Sequence, residues 1–188
     1  RQLVAGDGAL DDYFGMSVAV SADGSTIVAG AYYDDIGSNP NQGSAYVYRW
    51  NGSSWFEMKL TANDGEANDE FGISLAVSAD GNTVVVSSAS DDSGKGSMYV
   101  FRWNGSSYDQ AQKLTAEGGQ ANDFFGVSVT ISGDGSTIIA GASYDDYTYS
   151  DQGSAYVFRF NGSLYYQVKQ LLASDGAASD YFGCSVSV

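Results

Sequence analysis

The stretch Asp69-Glu70-Phe71-Gly72-Ile73-Ser74-Leu75-Ala76-Val77-Ser78 decides how this chain is read. Its Phe-Gly pair recurs at Phe14-Gly15, Phe125-Gly126 and Phe182-Gly183, at spacings of 57, 54 and 57 residues. Self-similarity at such a period marks a repeat architecture. Other features keep step. Asp-Gly falls at Asp23-Gly24, Asp80-Gly81 and Asp134-Gly135, and Asp pairs fall at Asp34-Asp35, Asp91-Asp92 and Asp145-Asp146. The middle unit is shorter because Ser93-Gly94-Lys95 replaces the loops Ile36 to Gln42 and Tyr147 to Gln152. The chain divides into residues 1–58, 59–112 and 113–169, each a full unit, and 170–188, a partial one.

Each unit reads as four short strands. Ser17 to Ser21 alternates apolar and small residues, and Ala22-Asp23-Gly24 turns it back. Thr26 to Ala31 is nearly all apolar, as a strand buried on both faces should be. A polar loop with the Asp pair leads to Ser44 to Trp50; Asn51-Gly52 signals a type I′ turn, and Trp55 to Ala62 follows. No segment has a 3.6-residue apolar period, so almost no helix is expected. Four antiparallel strands in about 50 residues is the arithmetic of a β-propeller blade. The fold class is therefore all-β, with four-stranded antiparallel blades in three full repeats and a partial one. A blade cannot bury both faces alone. Phe14, Phe71, Phe125 and Phe182 then plug the joints between blades, and Gly15, Gly72, Gly126 and Gly183 let the backbone approach closely.

The units resemble FG-GAP repeats, the blades of the integrin α-subunit propeller, and more closely the secreted variety found in many bacterial and some eukaryotic repeat proteins. The matching residues are Asp69 to Ser78, Gly30-Ala31 in the place of Gly-Ala-Pro, and Gly43-Ser44-Ala45-Tyr46-Val47-Tyr48. The resemblance covers essentially the whole chain and implies placement outside the cell or on its surface. Many blades of the family carry a calcium loop between their first two strands. Here that place holds Ser21-Ala22-Asp23-Gly24, Ser78-Ala79-Asp80-Gly81 and Ser132-Gly133-Asp134-Gly135. One carboxylate remains where calcium needs six to eight oxygens, so that site is not carried over.

A different carboxylate set has two readings. Asp12, Asp69 and Asp123 (with Asp180) precede each Phe, while Asp35, Asp92 and Asp146 follow the second strand. They cap turns by accepting backbone N–H groups, or, if both loops share a rim, they hold a calcium ion between them. Asn51, Asn104 and Asn161 all fit the glycosylation sequon, and no other Asn does. N-glycans at one per unit are the expectation. Aromatics flank those turns: Trp50 and Trp55, Trp103 and Tyr108, Phe160 and Tyr165. They read as cross-strand packing pairs. Every Asp recurs in each unit, which argues for architecture, because a catalytic pair should occupy one special place.

Composition narrows the rest. Eight Lys+Arg stand against 23 Asp+Glu, for a formal net charge of −15, with no His and one Cys. Absence of His removes Ser-His-Asp and Cys-His machinery. The charge repels a phosphate backbone, so no nucleic-acid partner is expected. No run of about 18 apolar residues exists, so no membrane insertion is expected. Gln2 to Ala5 matches a fourth strand and Cys184 to Val188 a first strand, which makes fourteen strands. Three blades and two orphan strands do not close a ring, so the expected partners are further repeats of a longer chain or other copies, paired head to tail. The expected role is a non-catalytic extracellular structural or adhesive module, such as a glycosylated filament or appendage subunit. The alternative is an integrin-like, ligand-binding propeller using a divalent cation.

Overall fold

β-Branched runs bounded by Gly turns make twelve short strands in the computed structural model, which describes residues 2–188. β1 (Val18–Val20), β2 (Thr26–Ala31), β3 (Ser44–Trp50) and β4 (Trp55–Leu60) form one four-stranded sheet. β5 (Leu75–Val77), β6 (Thr83–Ser88), β7 (Ser97–Trp103) and β8 (Tyr108–Leu114) form the second. β9 (Ser128–Ile131), β10 (Thr137–Ala142), β11 (Ser154–Phe160) and β12 (Tyr165–Leu171) form the third. All three are antiparallel meanders with strands in chain order. The fourth strands end at Leu60, Leu114 and Leu171, so each sheet closes on a leucine two residues past the unit boundary read from the sequence.

Meander topology sorts the connections. The β1–β2 and β3–β4 turns lie on one rim of the blade. The β2–β3 loop and the linker to the next blade lie on the other. A bulge between Val100 and Phe101, repeated between Val157 and Phe158, adds one residue to β8 and β12 relative to β4.

The blades bury their sheets against one another. Phe71 and Phe125 are fully buried, each at a joint. Phe71 sits edge-on to Tyr99 and Phe101 of the second blade, in a cluster that includes Val28, Val47 and Leu60 of the first. Phe125 does the same to Tyr156 in the third blade, against Met98, Val100 and Leu114 of the second. Phe14 and Phe182, at the two ends, are half-buried. Only glycine fits beside these rings. Gly43 has a φ of 84°, and a Cβ there would strike the Phe71 backbone; Gly72 has a φ of 100° and faces the Ser44 carbonyl. The linker residues before each Phe also adopt left-handed backbone, with Asn68 at φ 66° and Glu70 at 59°, a pattern all four linkers repeat.

Two expectations are corrected. Gln2 to Ala5 and Cys184 to Val188 are not strands, so the described chain has twelve strands, not fourteen. A strand needs a ladder partner, and neither segment has one. The Asn51-Gly52 turn is not type I′. Trp50 pairs with Trp55 across a four-residue loop, and only Gly52 has a positive φ, at 97°. Among the described residues one short helical turn occurs, Asp91–Gly94, where the middle unit shortens its loop.

The first blade shows what a joint covers. Val18 and Val20 are 67% and 59% exposed, while of their equivalents Leu75, Val129 and Ile131 are 7–8% exposed and Val77 is half-buried, because a preceding blade lies over them. Phe71→Ala should therefore cost about 3–5 kcal/mol of unfolding free energy. Phe14→Ala should cost less than half of that, and urea denaturation of the two variants checks the order.

Candidate functional site

The joints carry all the chemistry, divided between the two rims. On the linker rim a buried carboxylate follows each second strand. Asp34 accepts from Ser44 Oγ at 2.6 Å and from Tyr46 Oη at 3.1 Å. Lys59 Nζ bridges it at 2.7 Å to Asp7, also at 2.7 Å, and lies over the Tyr46 ring. The second blade repeats the pattern: Lys113 Nζ lies 2.7 Å from both Asp64 and Asp91, over Tyr99. Burial works against both lysine charges, but the flanking carboxylates win and hold each pKa above its ordinary value. Lys59 in turn draws the Asp7 carboxyl below its usual range.

The third blade changes two members together. Gln170 stands where the lysine stood and Gly118 where Asp7 and Asp64 stood. Gln170 Nε2 donates to Asp145 at 3.0 Å, and Tyr156 Oη donates to it at 2.7 Å. One positive and one negative charge leave the cluster as a pair. The buried carboxylate stays and keeps neutral donors, while the more exposed linker carboxylate leaves together with the lysine that it shared.

The sequence-derived candidates fall around these clusters. Asp12, Asp69 and Asp123 are buried, and each accepts the backbone N–H three residues before it, from Ala9, Glu66 and Gln120 at 2.5–2.6 Å; Asp180 does the same with Ala177. Asp35 and Asp146 accept the Asn41 and Asp151 N–H groups. Asp92 sits exposed in the short turn with a φ of 53°. Asp69 lies near the charge of Asp91, and Asp123 near Asp145 and Asp146. Among the described residues no three carboxylates converge into a metal-binding group. Burial, reinforced by Asp91 and Glu66 against the opposing Glu66 N–H bond, pushes the Asp69 pKa up to about 6.

The hairpin rim carries Asn51, Asn104 and Asn161, all exposed. Each Oδ1 accepts the N–H groups two and three residues on, at 2.8–3.0 Å, which closes the turn. Asn104 Nδ2 is engaged by Asp109 at 2.7 Å. Beside these turns lie the aromatic pairs Trp50–Trp55, Trp103–Tyr108 and Phe160–Tyr165, directly opposed across each hairpin with centroids 5.1–5.4 Å apart.

Here the sequence reading had missed a clasp. The Arg49 guanidinium lies 4.5 Å over the Trp103 ring of the next blade. It donates to the Gly81 carbonyl, to Tyr108 Oη and to Asn82 Oδ1 at 2.7–3.0 Å. Arg102 covers Phe160 at 4.1 Å in the same way. The signal was available: an arginine precedes Trp50, Trp103 and Phe160 in all three units. Between the first two hairpins a groove of about 400 Å³ runs past Trp50, Phe56, Met58 and Trp103.

Four-stranded antiparallel sheets stacked in sequence around buried Phe joints define a propeller-type repeat module. The FG-GAP repeat model matches residues 1–48, 55–101, 108–158 and 165–188, and the chain belongs to that family. A comparison with curated proteins returned no match. Among solved structures, Saccharomyces cerevisiae Sqt1 superposes with a TM-score of 0.56 at 12% identity, over 88% of this chain and 37% of that one. A putative 6-phosphogluconolactonase from Bacteroides uniformis gives 0.54 at 14% identity, over 85% and 41%, and Kuenenia stuttgartiensis hydrazine synthase gives 0.55 at 14%, over 92% and 40%. At these identities the likeness shows the fold alone. The chain spans about two fifths of the length of these structures.

Lys59→Met should strand the buried Asp34 and destabilise the chain by roughly 3 kcal/mol. Gln170→Met, which removes no charge, should cost clearly less; denaturation midpoints compare the two. Asp69 binds its proton more tightly folded than unfolded, so its contribution is present below about pH 3.8 and lost as pH rises through about 6. Asp69→Asn keeps the acceptor for the Glu66 N–H. Between pH 4 and 7 its Tm should rise relative to that of the parent chain.

Proposed function

We propose that this chain is a non-catalytic structural or adhesive module that works outside the cell by assembling with other copies or further repeats through its blade joints. The observation that carries this reading is that the polar clusters sit at equivalent places in successive repeats, with their members varied in the third, and are engaged by bonds within or between blades. The Asp–Lys–Asp clusters, the turn-capping aspartates and the Arg clasps all have protein partners. The FG-GAP repeat family is generally non-enzymatic, and no helix among the described residues is long and apolar enough to cross a membrane. Glycans on Asn51, Asn104 and Asn161 would clothe the hairpin rim, where all three side chains are exposed. The acidic surface, with its net charge of −15, keeps such an array dispersed.

The test is assembly and ion dependence together. Protein isolated from its native source should form large assemblies in sedimentation and electron microscopy, with a mass above that of the bare polypeptide. Its melting temperature should not move on adding EDTA. A clean unmodified monomer would overturn the reading, and a calcium-dependent rise in Tm would favour a cation-assisted, ligand-binding propeller in its place.

A further inference from the structure

The two joints within the chain are closed differently at their outer edge. β8 and β12 are free edges of the second and third sheets. Trp103 opposes Tyr108, and Phe160 opposes Tyr165, at the last rung of each hairpin. The hydrogen-bonded rung lies one step nearer the turn, where the Asn104 and Asn161 N–H groups donate to the Ser107 and Leu164 carbonyls. Alternation along an antiparallel ladder then turns the N–H and C=O of Tyr108 and Tyr165 outward, away from their own sheets. In the second joint a glutamine of the preceding blade meets them. Gln112 Nε2 donates to the Tyr165 carbonyl, and Gln112 Oε1 accepts the Tyr165 N–H, both at 2.8 Å.

Met58 holds the place of Gln112 in the first joint: it opposes Val47 as Gln112 opposes Val100, on the side that faces the following blade. A thioether makes no such clamp, and among the described residues nothing bonds the Tyr108 N–H or C=O. The same joint is open on both sides of Met58. The groove of about 400 Å³ past Phe56, Met58 and Trp103 lies toward the hairpin rim. A hollow of about 370 Å³, lined by Leu60, Tyr108 and Gln110, lies toward the linker rim. Phe56 is 53% exposed although a complete second blade stands against its side of the sheet; its counterpart in the second joint is Asp109. Phe56 opposes Arg49 and shares the side from which Arg49 reaches Trp103. Repeats added before or after these three would stack on the far face of the first blade or beyond the third, so neither reaches this seam.

We propose that the seam between β4 and β8 is a binding site for a glutamine side chain carried on an extended peptide of a partner protein. The carboxamide takes the place at Tyr108 that Gln112 takes at Tyr165, and an apolar neighbour on the peptide lies against Phe56 and Trp103. Gln112 identifies the occupant, because it is a carboxamide on an extended strand beside the equivalent edge. Glutamine and asparagine are the side chains that carry an N–H donor and a carbonyl acceptor side by side. A carboxylate would leave the Tyr108 carbonyl without a donor, and an ammonium would leave the Tyr108 N–H without an acceptor. Apolar contacts beside a bonded strand edge are a general way to hold an extended peptide. The site goes beyond the reading of the molecule as an assembling module: it lies within one chain, away from the end faces on which blades are added.

Amide-resolved NMR of the isotope-labelled 188-residue chain tests it. The probe is acetyl-Leu-Gln-Leu N-methylamide, and the control carries Met in place of Gln. A saturable shift of the Tyr108 amide signal is expected, with the Trp103 indole signal moving beside it, and binding roughly tenfold weaker for the control. Phe56→Ala, at an exposed side chain, should fold as the parent does and weaken the probe several-fold. Met58→Gln supplies the clamp from within. Its Tyr108 amide should sit at the bonded position without any probe, its Tm should be no lower than that of the parent, and the probe should no longer bind. A Tyr108 signal unchanged in folded Met58→Gln would show that position 58 does not reach the edge, and the site would fall. Equal binding of probe and control would leave an apolar contact only and refute glutamine as the occupant. Acetamide moving Tyr108 at the same concentrations as the probe would refute the peptide. No shift at millimolar probe would refute the site, while leaving the assembling-module reading intact.

Discussion

A four-stranded sheet whose second and third strands are apolar on both faces cannot stand in water by itself. Everything else in this molecule follows from that constraint. Val28, Val47, Val84, Val85, Val86 and Val100 have no exposed surface, and the side chains that cover them come from neighbouring blades. The Phe-Gly pair makes the cover close. Phe71 and Phe125 fill the gap between sheets, and glycines at positive φ let the linker lie flat on the preceding loop. Since each blade depends on its neighbours, stability in this chain is a property of joints more than of blades.

Polar chemistry has been fitted to the same joints. Buried Asp34 and Asp91 carry lysine partners whose second carboxylate comes from the linker, so one cation ties linker to blade. In the third repeat the lysine and the linker carboxylate are both gone, and an amide and two hydroxyls satisfy Asp145. The Arg clasp on the opposite rim does similar work with stacking and neutral acceptors. The joint between the first and second blades is thus pinned at both rims and sealed in the middle.

Much of this was legible in the sequence. Phe71-Gly72 with its three echoes fixed the period, and Asp-Gly turns between alternating runs fixed the strands. Two kinds of feature were not legible. The Asp7–Lys59 and Asp64–Lys113 pairs span about fifty residues, and only the stacking of linker on blade brings them together. Local pattern also misjudged the Asn-Gly turns, because the Asn side chain closes a four-residue loop by bonding to later N–H groups, which a two-residue turn leaves no room for. The end segments failed as strands for a related reason: alternation at Cys184 to Val188 specifies a surface that pairs, and no partner strand is there to complete it. Within the Asp pairs the sequence singled out the second member, while the structure buries the first, Asp34, Asp91 and Asp145.

Because hairpin turns and linkers never exchange rims, a stack of any length has two chemically different sides. One presents asparagines, aromatic rings, stacked guanidinium groups and the Asp-Gly turns; the other presents the Asp–Lys clusters and left-handed connecting segments. Adding blades to such a stack extends both sides equally and does not blur the difference between them.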